Sequence, residues 1–179
     1  MPPAHRHLGD PGDMKASGSQ SAPIAVTVAE VIAQFRLLHN ELRFVVSNHD
    51  DESLNWVPCP GANSVATIIT HTLGSEAETL RAVAGEPSPR ERDAEFQMGR
   101  QSKPALVDQI DTADALLEHL GPALTDDRGT ALVSLPTLSS DDRRSGVAWL
   151  IGNLGHAREH MGHLRLTIQL SEVDGTARA

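Results

Sequence analysis

Tyrosine is absent from the 179-residue chain, and only five aromatic side chains occur: Phe35, Phe44, Phe96, Trp56 and Trp149. Proteins that grip single-stranded nucleic acid line a basic groove with aromatic platforms, and this composition supplies neither. Lysine is almost missing (Lys15 and Lys103), the 13 arginines are scattered, and the formal net charge is -9. Phosphate neutralisation needs clustered cations, so a nucleic-acid partner is not expected. A single cysteine, Cys59, cannot close an internal disulfide, which makes the cytoplasm the default compartment. No stretch approaches the roughly 18 uninterrupted apolar residues of a membrane span. The first residues, MPPAHRHLGDPGDMKASGSQS, lack the apolar core of a signal peptide. Their Gly, Pro and Ser content predicts a disordered tail over residues 1–26.

The remainder reads as helices. Thr27-Val28-Ala29-Glu30 has the form of a capping box, and Val28, Val31, Ile32, Phe35, Leu38, Leu42, Val45 and Val46 follow it at the spacing of one helical face. The first helix is therefore expected over about 27–48. LNWVPCPGANS, with two prolines and a glycine, reads as a loop. Asn63 or Ser64 caps a second helix with stripe Val65, Ile68, Ile69, Thr72, Leu73, Leu80 and Val83, ended by Gly85. The polar, proline-bearing segment from Glu86 to Gln101 reads as a long crossing loop with at most a short helical turn. Ser102 caps a third helix with stripe Leu106, Ile110, Ala113, Leu117 and Leu120 that closes at Gly121-Pro122. Residues 123–143 fit a short strand or an extended segment, although Pro136 opposes a central strand. From Ser145 a fourth helix carries Val147, Leu150, Ile151, Leu154, Ala157, Met161, Leu164 and Ile168 inward. It is expected to end near Leu170, leaving a fraying tail over 171–179. The expected fold is all-α, a four-helix bundle over 27–170 with a long crossover loop between helices 2 and 3.

Against few aromatics stand nine histidines. His5 and His7 fall in the N-terminal tail. His119 lies roughly 220° from Leu106 at about 100° per residue, on the solvent side. His49 suits the C-terminal end of the first helix. His39 flanks the first stripe and reads as a buried, hydrogen-bonded side chain more readily than as a ligand. NLGHAREHMGHLRL is different: His156 and His160 stand one turn apart on the same side, where two imidazoles converge on one ion. His163 extends that edge, so His160 with His163 is a second possible pair. His71, one turn after Ile68 on the inward edge of helix 2, supplies a third nitrogen. Three neutral imidazoles with an open position form a catalytic type of divalent site, with zinc the default and nickel, iron or manganese compatible. His156-Ala157-Arg158-Glu159-His160 also fits the H-x-x-E-H pattern of a zinc peptidase, a reading set aside because Glu159 adjoins a ligand and is expected on the solvent side. Trp149 and Asn153 precede His156 on its edge and are candidate pocket walls, whereas Cys59 between two prolines reads as a loop residue.

Two motifs resemble the DinB/YfiT-like superfamily of metal-dependent enzymes. One is Trp56-x-Pro58-x-Pro60-Gly61 leading into Ser64-Val65, His71 and Glu76; the other is His156-x3-His160-x-Gly162 before an apolar helix end. The resemblance spans about residues 27–170. It implies a four-helix bundle in which His71, His156 and His160 bind one divalent metal. Relatives often carry Gln where this chain has His163, which leaves the alternative pair open. The resemblance further implies a homodimer acting on a small-molecule substrate. The implied activity is that of a thiol-dependent S-transferase or isomerase using a low-molecular-weight thiol of the mycothiol, bacillithiol or glutathione type. Activation of a thiol or a water would give transferase or hydrolase chemistry; the other reading is a non-catalytic metal-binding or dimerisation module linked to stress. In a structural site of that kind, His39 or His163 would add a fourth ligand.

Overall fold

The computed structural model describes residues 26–138 and 141–178, so the expected N-terminal tail lies outside the described residues except for Val26. The chain is mostly helical. Four long helices, α1 (Val28–Asn48), α3 (Val65–Ala84), α5 (Lys103–Leu120) and α7 (Gly146–Arg178), are joined through short elements. These are α2 (Asp51–Asn55), α4 (Arg92–Gln97), α6 (Asp126–Thr130) and the antiparallel two-residue strands β1 (Leu132–Val133) and β2 (Arg144–Ser145). Among the long helices α3 packs on α7 and α5, and α1 packs on α5 and α7, so all four surround one core.

Local chemistry sets the helix starts. Thr27 Oγ1 accepts from the backbone N–H of Glu30 at 3.2 Å, and the Glu30 carboxylate accepts from the Thr27 N–H at 2.8 Å, the expected reciprocal box. Of the two candidate caps for α3, Ser64 does the work, accepting from Thr67 N–H at 3.2 Å. Because Ser64 is buried and also bonds the Thr67 hydroxyl, Ser64→Ala is expected to cost about 1 kcal/mol of stability in a urea denaturation series. Gly85 closes α3 with φ 87°, a left-handed conformation that other residues rarely adopt.

Every residue of the expected apolar stripes on α1, α3 and α5 is buried. On α7 the inward line is Val147, Leu150, Leu154, Ala157, Met161, Leu164 and Ile168, steps of three and four. Ile151, expected inside, is 46% exposed, because one residue beyond Leu150 it is turned about 100° off that line. Two further expectations fail. Asp51–Asn55, placed in or beside a loop, forms the one-turn helix α2, with the Asp50 carboxylate accepting from Ser53 N–H at 2.8 Å. And α7 does not stop near Leu170 but continues to Arg178. Nothing before Gly175 breaks a helix in that stretch, and the Trp56 indole N–H donates to the Asp174 carboxylate at 3.1 Å, tying the extension to the loop after α2.

The ambiguous stretch after α5 resolves into α6 and a minimal hairpin, consistent with Pro136 lying outside either strand. No helix among the described residues is long and apolar enough to cross a membrane.

Candidate metal centre

His71, within α3, is turned inward and buried. His156 and His160 of α7 are half-buried and face it across the α3–α7 contact. One ligand nitrogen from each of the three lies within 4.8 Å of the others. The rings sit edge-on, with centroids 5.5 Å apart for His71 and His156, 5.1 Å for His71 and His160, and 4.2 Å for His156 and His160. His163 is exposed and its ring lies 5.7 Å from that of His160. The structure thus groups His156 and His160, not His160 and His163, with His71.

The nitrogens are in the chemical state a cation requires. Burial holds the His156 imidazole below the usual histidine range, with the neighbouring His71 adding to the effect. Burial and the three surrounding imidazoles push His160 down to about 4. Both rings are therefore neutral near pH 7. Their Nε2 atoms approach to 3.1 Å, a contact that two lone pairs tolerate only with a shared proton or a cation between them. His160 Nδ1 is buried without a hydrogen-bond partner among the described residues. The donor set fits a divalent ion of the borderline kind that imidazoles select.

The support behind His71 comes from a segment that sequence patterning leaves blank. In α4, Glu95 presents a carboxylate oxygen 2.8 Å from His71 Nδ1. Arg90 clamps the same carboxylate with two bonds, from Nε at 2.6 Å and Nη2 at 2.9 Å, and its Nη1 donates to Glu78 at 2.8 Å. Glu78 in turn accepts from Thr137 N–H at 3.0 Å and from its hydroxyl at 2.8 Å. Arg90 Nη2 also lies 3.3 Å from His71 Nδ1. The carboxylate is the closer neighbour and can only accept, so Nδ1 carries a proton and Nε2 is the nitrogen left to ligate a metal. A carboxylate behind a ligating imidazole fixes ring and tautomer in this way.

Gly74 makes the approach possible. A Cβ at that position would stand 2.2 Å from Glu95 Oε1 and 2.9 Å from Cδ. A glycine inside a strong helical stripe was the one sequence signal that something approaches α3 closely there. Phe96, the next residue of α4, lies against the His71 ring at a centroid distance of 4.8 Å.

The other histidines take different roles. His39 is fully buried, with Nδ1 2.6 Å from Asp114 and Nε2 3.0 Å from Glu76, and it does not join the three. His49 bonds the Val45 carbonyl at the end of α1. His119 is solvent-facing beside Glu86. Glu159 and Cys59 are exposed. Trp149 and Asn153 are buried and share with His156 the walls of a cavity of about 210 Å3.

Comparison with known proteins agrees with this architecture. Residues 27–164 match the profile of the DinB superfamily. The fold is similar to that of a DinB-like protein from Bacillus cereus, at 14% identity and TM-score 0.65, covering 82% of this chain and 93% of that one. A conserved protein from Enterococcus faecalis is similar at 14% identity and TM-score 0.64, covering 82% and 98%. A DinB-like protein from Bacillus subtilis follows at 17% identity and TM-score 0.56, covering 78% and 90%. At such identities the likeness is one of fold. No curated protein matches the sequence.

Proposed function

The chain belongs to the DinB superfamily, and on that footing we propose that it is a metal-dependent enzyme built on a four-helix bundle, in which His71, His156 and His160 hold one divalent ion. The observation that carries the reading is the convergence of three imidazole nitrogens within 4.8 Å from two helices. Zinc is the metal of choice for such a set, with nickel, iron and manganese as competitors. When bound through three protein ligands, the ion supplies positive charge at an open position, where a thiol or a water becomes easier to deprotonate.

The protein's own groups then have defined tasks. Glu95 holds the proton of His71 on Nδ1 and so aims Nε2 at the site. Arg90 holds the Glu95 carboxylate in place with two hydrogen bonds. Phe96 shields one side of the His71 ring from water. The reaction class favoured is transfer of a low-molecular-weight thiol to a small electrophile, or an isomerisation through the same thiol, with hydrolysis as the water counterpart. The working form is a cytoplasmic homodimer without nucleic-acid or membrane partners.

Thiol consumption with model electrophiles, measured with and without added zinc, tests this function. Turnover that requires both thiol and metal is the expected result; turnover unchanged by removal of metal refutes the assignment. Glu95→Ala is expected to weaken zinc affinity roughly 10- to 100-fold in a chelator competition assay. Gly74→Ala should weaken it in the same direction by displacing the carboxylate.

The alternative of a non-catalytic metal module predicts a fourth protein ligand. His39 is engaged by two carboxylates and His163 is exposed outside the cluster, which favours the open, catalytic reading.

A further inference from the structure

Between α3, α7 and the β1–β2 hairpin lies the cavity of about 210 Å3, and His156 is part of its wall. It is smaller than the roughly 300–1,000 Å3 of pockets that take drug-sized ligands. Asn153, nine-tenths buried, forms its polar side. Its Nδ2 donates to Ser75 Oγ at 2.9 Å, while its Oδ1 is buried without a partner among the described residues. A buried acceptor left unpaired costs desolvation without return, so a ligand that supplies the missing donor gains from it.

The neighbouring polar groups can be accounted for one by one. Thr79 donates its hydroxyl to the Ser75 carbonyl at 2.9 Å and retains lone pairs to accept. Ser75 Oγ accepts from Asn153 and keeps its own O–H to donate. The Trp149 indole N–H is taken by the Val133 carbonyl at 2.8 Å, so only the flat ring surface is on offer. Arg144 lies over that ring with its guanidinium bound by both oxygens of Asp142, which leaves its charge compensated.

The larger hollow, about 670 Å3 between α3, α4 and α5, has Arg90 and Glu95 on its wall. Those two are engaged with each other, with Glu78 and with His71, so neither is free to face a ligand there.

We propose that the cavity walled by Asn153, Trp149 and His156 recognises a small neutral substrate that carries an N–H or O–H donor for Asn153 Oδ1 beside a flat apolar portion for Trp149. This deepens the metalloenzyme reading and rests on it, because His156 is the wall shared by the cavity and the three-histidine cluster. In the zinc-free protein a carboxylate ligand is disfavoured, since it would set an anion against an unpaired carbonyl oxygen with no free cation among the lining residues.

The test uses benzamide and its isostere benzoate, titrated into the full chain with and without zinc. The Trp149 indole resonance, assigned with the help of Trp56→Phe, is the readout. Benzamide is expected to shift it saturably, with Kd on the order of 1 mM or below, and benzoate to bind at least roughly tenfold more weakly to the zinc-free protein. Asn153→Leu should lower benzamide affinity roughly tenfold. Gly152 lines the same cavity and an added Cβ there meets nothing within 4 Å, so Gly152→Leu should abolish binding while leaving the fold intact. That second variant decides the matter if Asn153→Leu does not fold. Equal affinity for benzoate in the zinc-free protein, or wild-type benzamide affinity in a folded Asn153→Leu or Gly152→Leu protein, overturns the proposal. Zinc binding without benzamide binding overturns the cavity assignment alone. Benzamide binding by a protein that takes up no zinc supports the ligand class and overturns the metalloenzyme reading instead.

Discussion

Replacing His160 with alanine is expected to abolish stoichiometric zinc binding. Its imidazole is the member nearest both partners, 4.2 Å from His156 and 5.1 Å from His71 between ring centroids, and it is held neutral, at about 4, by burial. Its lone pair is therefore available without competition from protons near neutrality. Loss of a ligand should exceed the roughly 100-fold penalty attached to losing a supporting group behind one. Elemental analysis of dialysed protein, with calorimetric titration of zinc, measures the effect. His71→Ala should behave alike, whereas His119→Ala on the exposed face of α5 should keep full occupancy. His163→Ala, outside the three, should stay within a few-fold of the parent. Circular dichroism of each variant separates loss of metal from loss of fold. If His119→Ala and His160→Ala lose zinc equally, the cluster is not the binding site.

Replacing His39 with leucine is expected to destabilise the protein by about 3–5 kcal/mol, through a different part of the core. His39 sits at the meeting of α1, α3 and α5 with one carboxylate on each ring nitrogen, Asp114 at 2.6 Å and Glu76 at 3.0 Å. Two acceptors demand two donors, so the ring is an imidazolium. Burial opposes that charge, yet hydrogen bonds and attraction from Glu76 and Asp114 raise its pKa above the usual value. Arg43 completes the balance by binding Asp114 and Asp111 at 2.5 Å each. Leucine at 39 would leave Glu76, 1% exposed and already pushed above the usual carboxylate range by burial, either as an unpaired buried charge or carrying the cost of protonation. The penalty lies mostly in that stranded carboxyl group, so adding Glu76→Leu should recover a large part of it.

The same group sets a pH dependence. A histidine whose folded pKa is raised contributes stability that is complete below its unfolded value of about 6.5 and fades as the pH rises through the folded value. Urea midpoints should therefore fall as the pH rises above about 6.5. His156 and His160, shifted the opposite way, act only below that window. A flat profile from pH 6.5 upward would remove the imidazolium from the account.

Most of what patterning can reach lies within a turn or two of each residue. Thr27 and Glu30 satisfy each other across three residues, Ser64 and Ser102 cap the next backbone turn, and Gly85 supplies a left-handed stop. None of these needs a distant partner, which is why helix starts and the inward stripes of α1, α3 and α5 were readable. The short helix α2 was not, and α4 was legible only as a short helical turn somewhere within the loop over 86–101, because five or six residues carry too little periodicity to rise above a polar loop. Glu95 and Arg90 escaped for the same reason: in EPSPRERDAEFQ the first eight residues are all charged or turn formers, and nothing local says which carboxylate turns inward.

The sequence by itself determined the all-α class, the faces of the long helices and the short list of histidines able to meet. Only the tertiary structure decided what each of them does. His39 and His71 occupy equivalent places, each on the inward edge of an apolar stripe, and local spacing cannot tell them apart. Packing brings two carboxylates to the first, making it a cation. It brings two neutral imidazoles and one carboxylate to the second, leaving one nitrogen to join a three-nitrogen cluster. Protonation follows the charge of the neighbours, and those neighbours come from other helices.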